Sequence, residues 1–346
     1  MRRHRIIGWS RGALAPVLLL AVALLVPNLF AEGSYSQYMI ELIGVYILAS
    51  TGLSLSMGLA KQFHVLQTLF MAISAYTVAV LADRYDVPFS LGALAGLAGA
   101  LLLALLSALV TLRAQTHYLL LATFGIVIVG ITLIDGLDSI TGGVNGRPAI
   151  AGIDIGGFQA SGVSREYSLI VLVIAALGLL GARRIEQSMV GNALRGIGLD
   201  EGMVAAQGLS PGRYRIVALL ISALYGGIAG VLAGPVLGYL SPPSFDMPVT
   251  LLLIIMVVIG GLDRVYWVAL ATVAVTLVQQ SAASSVSAWP LAYGLAVMVL
   301  IMLPGRDVSR WLPERWRPRR VALDGSSEVH AVSSELAEKG SVDAPR

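Results

Sequence analysis

Long runs of apolar residues recur along this chain, and each is about as long as a bilayer is thick. A membrane-spanning helix needs about 20 mostly apolar residues, and breaks at charged residues, proline and glycine delimit ten such runs. Only 12% of the residues are charged, which is far below the share in soluble domains. We therefore predict an all-α, polytopic membrane protein with about ten transmembrane helices. The predicted spans are 13–31, 39–60, 63–82, 88–112, 117–134, 167–182, 216–240, 247–261, 265–284 and 289–303.

The positions of lysine and arginine favour one orientation of these spans. With a cytoplasmic N-terminus, most basic residues fall on the cytoplasmic side, and the other side holds only Arg84, Arg147 and Arg165. An even number of spans places both termini in the cytoplasm. The apolar run from Ala13 is long for a signal peptide and no small-x-small cleavage site follows it, so we expect it to be retained as the first span.

These expectations divide the chain into three parts. We predict a basic cytoplasmic N-terminus at 1–12, a membrane domain at 13–305, and a cytoplasmic tail at 306–346 that is basic at first and then disordered. Two long loops interrupt the membrane domain: a periplasmic outer loop, residues 135–166, and a cytoplasmic inner loop, residues 183–215. Five spans on each side of the outer loop would suit two halves of inverted topology.

The sequence indicates neither enzyme chemistry nor nucleic-acid binding. The chain has no cysteine and only four scattered histidines, which excludes thiolate metal sites and cysteine nucleophiles. It contains no Gly-x-x-x-x-Gly-Lys-Ser/Thr phosphate loop, no His-Glu-x-x-His motif and no Gly-x-Ser-x-Gly motif. The basic residues flank apolar spans, which is typical of membrane orientation. We therefore expect no cofactor and no metal in this chain.

The inner loop contains the most informative short segment of the sequence. Asp200 is suited to cap a short helix, and Gly208 is suited to end it. Met203, Ala206 and Gln207 can then share one side of that helix. Such a side could dock into a groove on a partner protein, or it could rest on lipid as part of an amphipathic connector. The residues alone leave both readings open.

This segment resembles the coupling loop of ABC importer permeases of the branched-chain amino acid class. Met203 and Val204 stand where that family has an Ala-Ala pair, so a partner's groove would have to accept bulkier side chains. Other motifs resemble the family in the same order, and the resemblance covers about residues 45–305. The matching loop residues are Gly191, Ala193, Leu194, Arg195, Ile197, Asp200, Glu201, Ala206 and Gly208. The other matching segments are Arg113–Tyr118 with Ala122 and Thr123, Thr141–Gly146, Ser241–Phe245 and Met256–Leu262.

The resemblance implies an ABC importer permease fold and a set of partners. These are cytoplasmic ABC ATPase subunits that carry ATP and Mg, a second permease subunit, a periplasmic or lipid-anchored solute-binding protein, and membrane lipid. It also implies that a central pathway in the bacterial inner membrane works by alternating access, and that ATP hydrolysis on the separate ATPase subunits drives it. The residues implied to form the ATPase-coupling helix are Arg195, Asp200, Glu201, Met203, Ala206 and Gly208.

The clearest departure from the family lies between residues 58 and 76. The family usually has Gly-x-x-Gly-Gln-x-Ser-x-Gly-His here; Gln62 is kept, whereas Lys61, His64, Leu66 and Gln67 replace the second glycine, the serine, the third glycine and the histidine. The solute therefore stays open between branched-chain amino acids and similar small polar solutes such as amides and urea.

Polar residues inside apolar spans are candidates for the pathway, because an unpaired polar group in lipid costs several kcal/mol. The alternative is hydrogen bonding between helices. We expect Glu41 to be solvated near the outer interface, and Gln279 and Gln280 to lie at a wet interface. The candidate pathway residues are Gln62, His64, Gln67, Thr123 and Asn145.

Glycines four residues apart form a flat stripe on the seventh span, at Gly226, Gly230 and Gly234. Such a stripe lets another helix approach closely, either within one subunit or across a permease dimer. Gly92 and Gly96, also four residues apart, indicate the same kind of close helix packing on the fourth span. A stand-alone secondary transporter driven by an ion gradient is the alternative function, but the spans hold few of the titratable groups that such proteins use.

Overall fold

A computed structural model describes residues 24–29, 32–111, 116–149, 152–155, 158–262 and 264–283. The predicted N-terminus at 1–12, most of the first span, the last span at 289–303 and the tail at 306–346 lie outside the described residues. The eight other predicted spans each coincide with a helix.

The described helices account for most of the described chain. Eight of them are long: α1 (Tyr35–Ser54, continued by a π-helix over Leu55–Leu59), α2 (Gln67–Tyr85), α3 (Phe89–Thr111), α4 (Thr116–Gly136), α6 (Arg165–Glu186), α9 (Pro211–Leu237), α10 (Met247–Gly260) and α11 (Val265–Ala283). Six of these, α1, α3, α4, α6, α9 and α10, are long and apolar enough to cross a membrane, so the chain is a multi-pass membrane protein. The short ones are α5 (Asp138–Thr141), α7 (Met189–Leu199) and α8 (Glu201–Ala206).

Short polar side chains fix where several of these helices begin. The Ser34 hydroxyl accepts a hydrogen bond from the Gln37 amide at 3.3 Å, and the Ser164 hydroxyl accepts one from Tyr167 at 3.2 Å. Each satisfies a backbone donor that the first turn of a helix leaves without a partner. Serine therefore starts α1 and α6 at the outer end of the bundle.

Helices α1, α2 and α9 pack together at the centre, and glycine permits the closest contacts. A β-carbon at Gly230 would lie 2.1 Å from the Met71 carbonyl oxygen of α2. One at Gly226 would lie 3.0 Å from the Gln67 amide nitrogen. The structure thus places these two glycines against α2 of the same chain. Gly234 is less crowded, with Ala149 at 3.9 Å.

The outer loop contains short strands, which corrects the expectation of an all-α chain to a mostly helical one. Strand β1 (Arg147–Pro148) pairs antiparallel with β4 (Tyr239–Leu240), and β2 (Gly152–Ile155) pairs antiparallel with β3 (Phe158–Ser161). Backbone outside the helices still needs hydrogen-bond partners. Here the strands supply them, and β1 with β4 joins the outer loop to the end of α9.

Candidate transport pathway and coupling surface

An unwound segment, residues 60–66, separates α1 from α2. The helix of α1 loosens into a π-helix at Leu55–Leu59, and Lys61 has a left-handed backbone with φ of 52°. The sequence predicted that the next span begins at 63, but α2 begins at Gln67. The prediction failed there because Phe63, Val65 and Leu66 are apolar and read as part of a span.

The unwound segment lies at membrane depth. The Gln67 side-chain amide donates to the Ala49 carbonyl at 2.9 Å, so α2 begins level with Ala49. Helical structure continues past Ala49 to Leu59, the last five residues as the π-helix, so it is somewhat shorter than the roughly 15 Å that ten α-helical residues span. Residues 60–66 therefore run back up through that depth. Non-helical backbone is tolerated there only where protein buries it or where it lines a cavity.

His64 and Thr123 lie on this segment or against it. The His64 ring is buried at 1% exposure, and its Nε2 lies 3.1 Å from the Ser56 hydroxyl. Its Nδ1 has no hydrogen-bond partner within the described part of the chain. The Thr123 hydroxyl of α4 accepts from the Val65 amide at 3.4 Å. The structure thus brings both residues together around one stretch of irregular backbone, with Gln62 half-buried at its start.

Gln67 has a different setting, because its amide joins three helices. Besides Ala49 of α1, its nitrogen donates to the Ser222 carbonyl at 3.3 Å, and its oxygen accepts from the Ser222 hydroxyl at 2.7 Å. Gln67 is fully buried. These bonds hold α1, α2 and α9 together at the level where α2 starts, a packing role that the sequence left open beside the pathway role.

Glu41 corrects one expectation. It was predicted to be solvated, but it is fully buried. Its carboxylate accepts from the Ser168 hydroxyl at 2.8 Å and from the Val163 amide at 3.1 Å. Two donors from distant parts of the sequence replace the water that a charged carboxylate would otherwise need. Gln279 and Gln280 are half-exposed.

A cleft follows the seam between α2 and α4. One part, of about 470 Å³, has aliphatic walls that include Leu69, Ile73 and Ile126. A second part, of about 280 Å³, reaches Thr141 and Tyr76 below the outer loop. The two parts share Ile73, so they lie along one seam.

The outer loop closes over this end of the bundle. The Thr141 hydroxyl donates to the Ile134 carbonyl at 2.6 Å and accepts from the Gly143 amide at 3.2 Å. Asn145 is exposed, and its carbonyl accepts from the Tyr239 hydroxyl at 2.6 Å. Asn145 thus lies on the outer loop, beyond the end of α4, whereas Thr123 lies near the start of that helix.

The inner loop folds into α7 and α8. Asp200 caps α8, its Oδ1 accepting from the amides of Gly202 and Met203 at 2.8 and 3.2 Å. Gly208 follows the helix, and its amide donates to the Ala205 carbonyl at 3.0 Å. Glu201 forms an ion pair with Arg215 at the start of α9. Asp200 and Glu201 thus hold the start of α8, and a turn at Gly208 ends it.

One face of α8 is anchored and the other is open. Val204 is buried at 4% exposure, opposite Gly196 of α7. Met203 is 62% exposed and Ala206 is also exposed. Leu199, the last residue of α7, is 85% exposed. Of the two residues that replace the family's alanine pair, only Met203 therefore faces outward.

Glu186 fixes the angle between α6 and α7. Its side chain is 5% exposed, and its carboxylate lies 2.6 Å from Arg183 and 3.3 Å from Arg195. Arg195 also donates to the Glu186 carbonyl at 2.9 Å. Sequence reasoning assigned Arg195 to the coupling helix but missed Glu186, because a charge after Arg183 and Arg184 reads as solvated loop. The described residues contain no cluster that could hold a metal ion.

Comparison with known proteins shows the family of the chain. Residues 36–304 match the family model described as the permease component of branched-chain amino acid transport systems. The chain is 32% identical over 279 residues to the high-affinity branched-chain amino acid transport system permease protein LivM of Salmonella typhimurium. It is 30% identical over 285 residues to LivM of Escherichia coli. Each match covers 74% of this chain, which spans 65% of the length of these curated relatives.

Proposed function

The chain belongs to the permease-component family of branched-chain amino acid transport systems, and from that premise we propose that it is the membrane-spanning permease subunit of an ABC importer. It translocates branched-chain amino acids or a similar small polar solute by alternating access. ATP and Mg are bound by separate cytoplasmic ATPase subunits. The chain itself forms the transport pathway and supplies the helix that contacts the ATPase, and it is not an enzyme.

The open face of α8 is the observation that carries this proposal. Met203 stands exposed on α8, and Leu199 stands exposed at the adjoining end of α7. Asp200 and Glu201 hold the start of α8, and Val204 seats its inner face on α7. Exposed apolar residues on a rigid support are typical of a docking site. An ATPase that seats α8 in a groove could move it as a solid element, as alternating access requires.

The unwound segment is the proposed inner part of the pathway. Irregular backbone at membrane depth marks substrate sites in many transporters, and here it carries Gln62 and His64 and touches Thr123. Asn145 belongs to the outer loop, where the solute-binding protein would deliver solute. In the proposed assembly a second permease subunit completes the pathway, about ten spans surround it as two inverted halves, and both termini face the cytoplasm.

Reconstitution tests the proposal. Vesicles containing this chain with its cognate ATPase, second permease and binding protein are expected to take up labelled leucine or another solute only when ATP is supplied. Omission of the ATPase should abolish uptake. A thermal-shift screen of the binding protein against amino acids, amides and urea would identify the solute.

A stand-alone secondary transporter is the second candidate, and Glu41 favours it. A buried carboxylate in a spanning helix is a feature of ion-coupled transporters. Vesicles holding only this chain would then take up solute under a proton or sodium gradient, and Glu41→Gln would abolish that uptake. The ABC proposal predicts no uptake from such vesicles under either gradient.

A further inference from the structure

The inner loop touches the unwound segment directly. A β-carbon at Gly198, near the end of α7, would lie 2.8 Å from the Leu59 carbonyl oxygen and 2.8 Å from the Lys61 side chain. It would also lie 3.4 Å from the Ala60 backbone. Glycine is therefore the residue that lets α7 rest on the backbone of the break without displacing it.

The elements on the other side of this contact are tied into one body. Glu186 and its two arginines join α6 to α7, and Val204 seats α8 against α7. If α8 is displaced, α7 should therefore move with it, and Gly198 should move by a similar distance. Packed elements of this kind pass on motion because they shift between discrete arrangements rather than deforming continuously.

The receiving element lacks regular helical structure. Few helical hydrogen bonds hold residues 60–66, since the Gln62 amide reaches back to the Ser56 carbonyl at 3.2 Å and α2 starts only at Gln67. A second loop packs against the π-helix just before the break, because a β-carbon at Gly58 would overlap the Leu262 carbonyl oxygen at 1.6 Å. The segment thus contacts α7 at its start and α4 through Val65 and Thr123.

We propose that the contact of Gly198 with Leu59–Lys61 is the transmission point at which movement of the inner loop rearranges the unwound segment and opens or closes the pathway. This inference rests on the proposed function and adds a positioning residue to it. Gly198 acts through the break, and it does not need to touch the solute or the ATPase.

The test uses the complete reconstituted importer with Gly198→Ala and Gly198→Leu. ATPase association and ATP hydrolysis should persist in both. Solute moved per ATP hydrolysed should fall about tenfold in Gly198→Leu and less in Gly198→Ala, within the range found for residues that carry coupling. Gly136→Ala and Gly136→Leu are the matched controls, because a β-carbon at Gly136 meets no atom within 4 Å, and they should transport normally.

A second measurement distinguishes transmission from loss of structure. The chain has no cysteine, so Phe63→Cys, at a position that is 36% exposed, provides a single labelling site on the segment. Its maleimide labelling rate should change when ATP is added to the otherwise wild-type complex, and this change should vanish with Gly198→Leu. Unchanged labelling in the wild-type background, or normal transport per ATP by Gly198→Leu, would overturn the inference. Failure of the wild-type complex to use ATP would instead overturn the proposed function.

Discussion

The two ends of the bundle are built differently. At the outer end, strand pairing, an ion pair between Arg147 and Asp83, and tight turns join the loop to α2 and α9. At the inner end, α7 rests on an unwound backbone, and α8 presents exposed apolar side chains such as Met203. The outer end is joined by the chain's own bonds, whereas the inner end leaves the large side chain of Met203 exposed on a short helix. This contrast suits a subunit that is driven from the inside.

The largest expected effect comes from a glycine in the outer loop. Gly146 has φ of 72° and ψ of −167°, and a β-carbon there would lie 2.2 Å from the Leu240 carbonyl oxygen. Gly146→Ala should destabilise the chain by roughly 3 kcal/mol, combining backbone strain and overlap. The measurement is thermal unfolding in detergent.

Gly238→Ala is the control for that change. Gly238 also has a left-handed backbone, with φ of 67°, but a β-carbon there meets nothing within 4 Å. Its substitution should cost only the strain, about 1–2 kcal/mol. Equal losses in the two variants would mean that the outer loop is not held by the close approach of Gly146 to β4.

The next effect concerns the open face of α8. Ala206→Arg adds a long charged side chain at an exposed position, so folding should be spared while ATPase association weakens about tenfold or more, as desolvating an unpaired charge costs several kcal/mol. Pull-down of the ATPase by the purified chain measures it. Val144→Arg, at an outer-loop residue that is 74% exposed, is the control and should leave association intact. Normal pull-down by Ala206→Arg would place the docking surface elsewhere.

A smaller effect on transport is expected at the junction of α6 and α7. Glu186→Gln removes the charge that Arg183 and Arg195 share. The ATPase should still bind, but solute uptake per ATP should fall several-fold because α7 is less firmly mounted, a loss of about 1 kcal/mol in coupling. Glu166→Gln, in the first turn of the same helix, serves as the control. Unaltered coupling in Glu186→Gln would show that the ion pairs do not stiffen the inner loop.

The sequence predicted the helices better than the site. Apolar length located eight described spans, and Asp200 caps α8 as its residue type indicates. The unwound segment was predicted only in part: the sequence broke the spans at 61–62, but Phe63, Val65 and Leu66 are as apolar as helix residues and hid the rest. Its contact with Gly198 joins residues that are far apart in the sequence, which apolar length does not predict. Glu41 was misjudged for a related reason, since its donors lie more than 120 residues away.

The smallest effect tests whether the outer end depends on charge. Asp83 is 64% exposed and its partner Arg147 12% exposed, and an exposed ion pair contributes only about 0–1 kcal/mol. Asp83→Asn should therefore lower the unfolding temperature in detergent by a few degrees at most, and less at high salt because salt screens exposed charges. Arg147 would keep its hydrogen bond to the Ile140 carbonyl, so the loop should stay in place. A loss as large as that of Gly146→Ala would mean that the outer end is closed by this ion pair rather than by its backbone, and the contrast between the two ends would then rest on charge.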